Sequence, residues 1–457
     1  MFSIQTYIER RNTLKRAVGS GLILIMGNEE APMNYTDNTY RYRQDSNFLY
    51  YFGISLPNLA AIVDVDSGEE IIFGDEFTMD DIIWVGPQPT LAEQARKVGV
   101  YRTEPYGKLS EKLAKAAQVH FTPPYRYENK FKLSQWLAIP VAQLKAKASE
   151  TLIKAIVAQR SIKSAEEIVQ LEEAVNITRE MHLAAMRETQ AGKKEYEIVA
   201  AIHAKALEFG GELAYPIIYS INGQTLHNHY HGNVMTEGKL ALNDSGAENS
   251  MHYAGDITRT IPVSKKFTDK QKEIYNLVLQ MQLSAINALK PGITYKEVHL
   301  LANKVLLQGL SELGLVNGDI DTMLTEGVQG LFMPHGLGHA IGLDVHDMED
   351  LGENYVGYRE GIDRSTQLGL KSLRMAKELE AGHVITVEPG LYFIPELIDK
   401  WKAENKFTNF INYQALDKYR DFGGVRIEDN CLITPDGYQV LGKPIPKTVE
   451  EVEALRS

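Results

Sequence analysis

The sequence predicts an α+β protein: a smaller α/β domain followed by a larger domain of helices and mostly antiparallel strands. Three observations carry that expectation. The chain has 457 residues, and at roughly 100–200 residues per domain this means two or three domains. Short strand-like and helix-like runs alternate through the first ~150 residues, an α/β pattern. Beyond residues 150–160 the helices lengthen, carry start signals and alternate with hairpin-like strands. The division is expected at 1–157 and 158–457.

In the first part, Met1–Val18 reads as an amphipathic helix and Gly21–Met26 as a short buried strand. Leu59–Val65 and Glu70–Phe73 read as two more strands, split by the turn Asp66-Ser67-Gly68. Ala92–Lys97 and Ser110–Ala117 have helical composition. In the second part, Ser164-Ala-Glu-Glu167 is a capping box, and Ile168, Leu171 and Val175 follow at helical spacing. Glu195–Phe209 is a helix stopped by Gly210-Gly211. Thr268 caps a third helix with an apolar face of Ile274, Leu277, Val278, Met281, Ala285 and Leu289, ended by Lys290-Pro291-Gly292. Thr294 caps a fourth that runs to about Leu313. Pro216–Ile221, Leu240–Asp244, Asp256–Pro262, Val384–Glu388 and Gly424–Ile433 read as strands.

Composition narrows the function. The formal charge is −12, which argues against general affinity for nucleic acid or for an anionic membrane surface. The apolar run Leu22–Met26 is far short of the ~20 residues of a membrane span, and Ile8–Arg16 is too charged for a signal peptide. Cys431 is the single cysteine, so no intrachain disulfide forms, which fits a reducing, cytoplasmic setting. Twelve histidines invite a search for a metal or acid/base site.

Four segments place acids and histidines on strand-like or Gly-rich backbone. They are Asp244-Ser-Gly-Ala-Glu248 with Gly255-Asp256; His335-Gly-Leu-Gly-His339 with His346-Asp347; Val-Glu388-Pro-Gly-Leu-Tyr392; and Arg426-Ile-Glu428-Asp429. Each alone has a plain reading. Asp beside Gly is usually a turn, and the glycines between His335 and His339 argue against a helical zinc pair. Val425–Asp429 alone would be a half-buried strand with its charges facing water. Together they supply mainly oxygen ligands and one imidazole. Carboxylates packed that closely repel one another unless cations neutralise them. Two divalent ions roughly 3.5–4 Å apart would do so and would share a nucleophilic water. Oxygen-rich ligation favours a hard ion, Mn²⁺, with Co²⁺, Zn²⁺ and Fe²⁺ as alternatives.

In their order, Asp244, Asp256, His339, Glu388 and Glu428 resemble the dinuclear ligand set of the pita-bread metallopeptidases, the creatinase/methionine aminopeptidase-like fold. The words around His335, His346, Glu388 and Arg426 are similar to the proline-specific branch, prolidase and aminopeptidase P. Upstream, Tyr42-Arg43-Gln-Asp-Ser-Asn-Phe48 and Gly53 resemble the N-terminal domain attached to those enzymes. The resemblance implies that Asp244 would chelate one metal, that Asp256 and Glu428 would bridge both, and that His339 and Glu388 would hold the other. Glu388 would relay the proton of the attacking water. His227, His335, His346 and Arg426 would line the substrate pocket, while His229 and His231 read as a polar strand edge. Two departures stand out. The Asp244–Asp256 interval is one residue longer than in many relatives, implying a longer turn or a bulge at Asn249–Tyr253. Asn228 follows His227 where relatives often carry Tyr.

Ser372-Leu-Arg374 resembles the prolidase segment whose arginine holds the free carboxylate of a dipeptide, with Tyr392 beside the substrate. The segment Phe393–Phe422 also resembles a prolidase insertion. The expected function is hydrolysis of Xaa-Pro bonds in dipeptides or short peptides. Aminopeptidase P activity on longer peptides is the alternative, and a non-catalytic peptide-binding module the remote one. The expected partners are a small peptide substrate and further copies of the chain, as a homodimer or homotetramer. The N-terminal domain would shade the active site of its own or a partner subunit.

Overall fold

The computed structural model describes residues 1–456. The chain divides into two compact units, Met1–Arg160 with Met348–Tyr355, and Ser161–Asp347 with Val356–Ser457. The division falls inside the helix Glu150–Ser161, so no Pro- or Gly-rich linker marks it. Met348–Tyr355 groups with the first unit, which differs from the contiguous split expected at residue 157.

The first unit is built on one five-stranded sheet. Its strands are β1 (Leu22–Met26), β2 (Ala60–Asp64), β3 (Glu70–Phe73), β4 (Arg102–Glu104) and β5 (Val119–His120), in the order β4-β3-β2-β1-β5. β1–β2 and β2–β3 are antiparallel, whereas β1–β5 and β3–β4 are parallel. Leu22, Leu24, Ile62, Ile71 and Phe73 fill one core, and Ile23 and Ile25 on the opposite face are buried as well. Burial on both faces explains why β1 is apolar throughout. The first helix spans Ile4–Val18 and is capped by Ser3, whose hydroxyl accepts from Thr6 N. Its inward face includes Arg11, fully buried and bonded to Glu70 and to the carbonyls of Tyr51 and Val98. Amphipathic periodicity alone does not show such an arginine.

The motif Tyr42–Phe48 has a structural task here. Asp45 Oδ1 accepts from the amides of Asn47 and Phe48 and so starts the helix Ser46–Phe52. Gln44 accepts from Asn28 N and donates to Leu56 O, tying three segments together.

The second unit holds the helices Ala165–Glu188, Glu195–Glu208, Asp269–Asn287 and Tyr295–Glu312. The expected capping boxes at Ser164, Thr268 and Thr294 are all formed. Its strands are β6 (Glu212–Leu213), β7 (Ile218–Ser220), β8 (Leu240–Ser245), β9 (Ala247–Glu248), β10 (Ile257–Pro262), β11 (Val384–Val387), β12 (Gly390–Tyr392), β13 (Gly424–Arg426), β14 (Asp429–Thr434) and β15 (Gly437–Val440). They form sheets β10-β8-β7 and β11-β14-β15, with β12 paired to β13 and β6 to β9.

Two details position the site. β8 and β10 pair from Ser245↔Ile257 to Leu240↔Pro262, and the same pairing continues to the Glu248↔Ala254 bridge. The extra residue therefore makes a longer turn at Asn249–Tyr253, closed by Asn249 N to Tyr253 O, and no bulge. Further, the expected single strand Gly424–Ile433 is two strands. β13 pairs with β12 and β14 with β11, and the pairs are separated by Glu388-Pro389 on one side and Ile427-Glu428 on the other. Pro389 has no N–H to continue the ladder. Glu388 N turns to Leu337 O and Glu428 N to Thr258 O instead.

Gly246 belongs to the hairpin, and a Cβ there would come within 1.8 Å of Gly255 O. Gly246→Ala is expected to cost roughly 1–3 kcal/mol, the usual penalty of overpacking. Urea unfolding checks this, and an unchanged midpoint would show that the strands can part at no cost.

Candidate metal centre and substrate cavity

A cavity of about 450 Å³ opens in the second unit. It is lined by Asp244, Asp256, His339, Glu388 and Glu428 together with His227, His335, His346, Arg374 and Arg426. Ten of the expected site residues thus meet in one place. Tyr392 does not join them. It is fully buried, and its hydroxyl lies between Arg426 Nη1 at 2.8 Å and His335 Nε2 at 3.0 Å. The expectation that Tyr392 touches substrate is corrected: it supports Arg426 from behind, because pairing with β13 turns its side chain into the core formed with Ile218 and Leu242.

Each acidic group comes from a strand end or a strand break. Asp244 is the penultimate residue of β8, and its Oδ2 is 2.5 Å from Arg426 Nη2. Asp256 precedes β10, and its Oδ2 is 3.4 Å from His339 Nε2. Glu388 Oε1 is 3.5 Å from the same nitrogen. His339 Nδ1 is 3.0 Å from Ala340 O. A carbonyl only accepts, so Nδ1 carries the proton and Nε2 faces the acids with its lone pair. One ligand atom each from Asp256, His339 and Glu428 lies within 4.8 Å of the others.

The donor set fits a divalent cation. Glu428 Oε2 accepts from Thr258 Oγ1 at 2.7 Å, but Glu428 Oε1 is buried with no hydrogen-bond partner. A buried carboxylate oxygen left so is costly unless a cation takes it. The Tyr215 hydroxyl contacts both Asp244 Oδ1, at 2.7 Å, and Asp256 Oδ1. Its single proton cannot serve both carboxylates. Burial, followed by repulsion from Asp256, Glu388 and Asp244, pushes Glu428 well above the usual range. Burial pushes Glu388 up to about 8, with Arg426 opposing and Asp256 and Asp244 adding to the rise. Arg426 alone does not neutralise the cluster.

The histidines differ in their freedom. His335 is pushed down to about 3 by burial and by Arg426. Its Nδ1 is 2.7 Å from Gly336 O, so the neutral ring accepts at Nε2 from Tyr392. Both nitrogens are thereby engaged within the protein. His346 stacks edge-on against His339, with ring centroids 4.2 Å apart. His227 is held below its ordinary value by burial and Arg426. His229, read from the sequence as a strand edge, also lines the cavity, whereas His231 bonds Tyr219 O outside it. Tyr215, Thr258 and Thr386 were missed. Strand alternation puts Thr258 and Thr260 on the face of Asp256, a signal that could have found Thr258. No local signal marks Tyr215. The charges of the Val425–Asp429 segment are buried, which sets aside the plain reading of that segment as a half-buried strand: Asp429 binds Arg259 at 2.7 Å on the side away from the cavity.

Several carboxylates and one imidazole lining one cavity define the class, a metal-dependent hydrolase. The comparisons narrow it. Residues 169–435 match the metallopeptidase family M24, and residues 7–122 match the aminopeptidase P N-terminal domain. The human Xaa-Pro dipeptidase is 31% identical, covering 98% of this chain and 91% of its own length. A probable Xaa-Pro aminopeptidase of Fusarium vanettenii is 34% identical over 96% of this chain and 92% of its own. The solved aminopeptidase PepP of Pseudomonas aeruginosa superposes with a TM-score of 0.83 at 28% identity, covering 100% and 98% of the two chains. The protein belongs to metallopeptidase family M24.

The raised carboxyls predict a pH dependence. Glu388 moves from an ordinary 4.5 to about 8 on folding, so the folded state holds more protons in that interval and stability falls as pH rises through it. Buried histidines oppose this below 6.5, since His182 and His299 lie at about 4 and His335 and His383 at about 3. The clean window is therefore about pH 7 to 8. In chelator, stability should drop there by roughly 1 kcal/mol on account of Glu388, and Mn²⁺ should reverse the trend by binding the ionised ligands. Thermal unfolding at both pH values checks it; a chelated protein that gains stability toward pH 8 would contradict the assignment.

Proposed function

We propose that this chain is a metal-dependent exopeptidase that hydrolyses the Xaa-Pro bond of dipeptides, using two divalent ions, with Mn²⁺ favoured. The supporting observation is that Arg374 lines the same cavity as the acidic cluster. A guanidinium in that wall offers a planar, permanently charged partner for the proline carboxylate of a dipeptide.

Asp244, Asp256, His339, Glu388 and Glu428 would hold the ions. When bound, the ions supply Lewis acidity and make water nucleophilic at neutral pH. The protein's own part is orientation. Arg426 fixes Asp244, Thr258 fixes Glu428, and Thr386 Oγ1 lies 3.3 Å from Glu388 Oε1. Glu388 would carry the proton from the attacking water to the leaving proline nitrogen, which has no hydrogen of its own in the peptide bond. His227 and His346 would face the scissile carbonyl. His335 would act on the reaction through Tyr392 and Arg426.

Two experiments test the reading. Chelation should abolish activity and Mn²⁺ restore it, while Asp256→Asn should bind less metal by atomic absorption. That variant retaining full metal and full activity would refute the ligand set. Arg374→Met should weaken Ala-Pro turnover selectively, by roughly 1.5–3 kcal/mol in kcat/KM for a lost charge-assisted hydrogen bond. Ala-Pro-Ala, with an amide in that position, should be affected much less. Faster turnover of Ala-Pro-Ala, unaltered by Arg374→Met, would make aminopeptidase P the better description.

A further inference from the structure

The loop between β7 and β8 carries His227 and His229 into the cavity wall, yet it has little regular structure of its own. Irregular backbone at a site must be held by something else. Glu195, at the start of the helix Glu195–Glu208, is fully buried outside the cavity lining. Its Oε1 accepts from Ser220 Oγ at 3.0 Å and Ile221 N at 2.8 Å, where the loop begins. Its Oε2 accepts from Asn233 Nδ2 at 2.9 Å and Asn233 N at 3.3 Å, where the histidine-bearing part of the loop, residues 221–233, ends. One carboxylate thus receives four donors from the two ends of one loop.

The link reaches the histidine itself. The Ser220 hydroxyl, having donated to Glu195, accepts from Asn222 N and from Asn228 Nδ2, both at 3.0 Å. Its one donor and two acceptor positions are all used. Asn228 directly follows His227, and its Oδ1 accepts from Tyr230 N at 3.0 Å. Asn228, the departure noted in the sequence, is therefore the loop's inner tether. We propose that Glu195 is a positioning residue that sets His227 and His229 against the cavity by closing the two ends of their loop through Ser220, Asn228 and Asn233. Charge-assisted hydrogen bonds are the stronger kind, and a buried carboxylate satisfied on both oxygens permits few alternative loop arrangements. Glu195 touches neither substrate nor metal ligand in this role.

The kinetic part of the test rests on the peptidase reading, and uses whichever of Ala-Pro and Ala-Pro-Ala the unsubstituted enzyme turns over. The variants are Glu195→Gln, which turns a donor toward the donors of Asn233, and Asn228→Ala, which cuts only the inner tether and leaves Glu195 paired. Both are studied as the full chain with Mn²⁺. Amide hydrogen exchange across residues 221–233 should quicken at least tenfold in each, with exchange in β8 unchanged and bound metal equal to that of the unsubstituted protein. KM should rise roughly tenfold in both, and His227→Ala should add little further loss on top of either. If Glu195→Gln fails to fold, Asn228→Ala carries the test. Unaltered loop exchange, or quickened exchange with KM unchanged, would overturn the proposal. Because exchange is read without substrate, failure of the Xaa-Pro reading would leave that arm intact.

Discussion

Four carboxylates share the wall of one buried cavity, and the cost of holding them together governs the architecture of the second unit. Asp244, Asp256, Glu388 and Glu428 face a cavity whose lining includes two arginines, Arg374 and Arg426. Arg426 is bonded directly to one of the acids, Asp244. Burial and mutual repulsion drive Glu388 and Glu428 upward, and for Glu388 they outweigh the opposing charges of Arg426 and Arg374. The partnerless oxygen of Glu428 is the sharpest sign that a cation completes the set. Family membership in M24 and this local electrostatic imbalance are independent routes to the same conclusion.

The rest of the site reads as support for those acids. A layer of hydroxyls, from Thr258, Thr386 and Tyr215, orients carboxylate oxygens without adding charge. Behind it lies a second charged layer facing away from the cavity. Arg259 and Lys447 bind Asp429 and hold it at about 2, outweighing the burial that would raise it. Glu428 and Asp429 are neighbours in sequence with opposite behaviour. The difference arises at the break between β13 and β14: Glu428 lies in the break and faces the other acids, whereas Asp429 begins β14 and faces arginine and lysine. The buried Lys163–Asp347 pair anchors the loop between His339 and His346 in the same manner.

Much of this was legible in the sequence. Helix starts at Ser164, Thr268 and Thr294 were visible because a capping box is a purely local device. The hairpin joining Asp244 to Asp256 was visible because two apolar runs flank a Gly-rich turn. The acids and histidines of the cavity were visible because each stands in a short, distinctive word. Tyr392 was misplaced for the converse reason: it belongs to such a word, but strand register, which no local signal states, turns it into the core.

The α+β class, the main helices and the residues able to ligate a metal can be read from the residue order, since these depend on neighbours a few positions away. Where the ladders break, and so why Glu388 and Glu428 project into the cavity, depends on the packed fold. The break arises because β12–β13 and β11–β14 are separate pairings of distant segments. The packed fold likewise sets Tyr215 between two acids, His229 in the cavity wall and Glu195 between Ile221 and Asn233. Each of these is a meeting of chain segments tens of residues apart. A hydrogen bond at such separation leaves no periodicity in the sequence, because its geometry exists only once the core has packed.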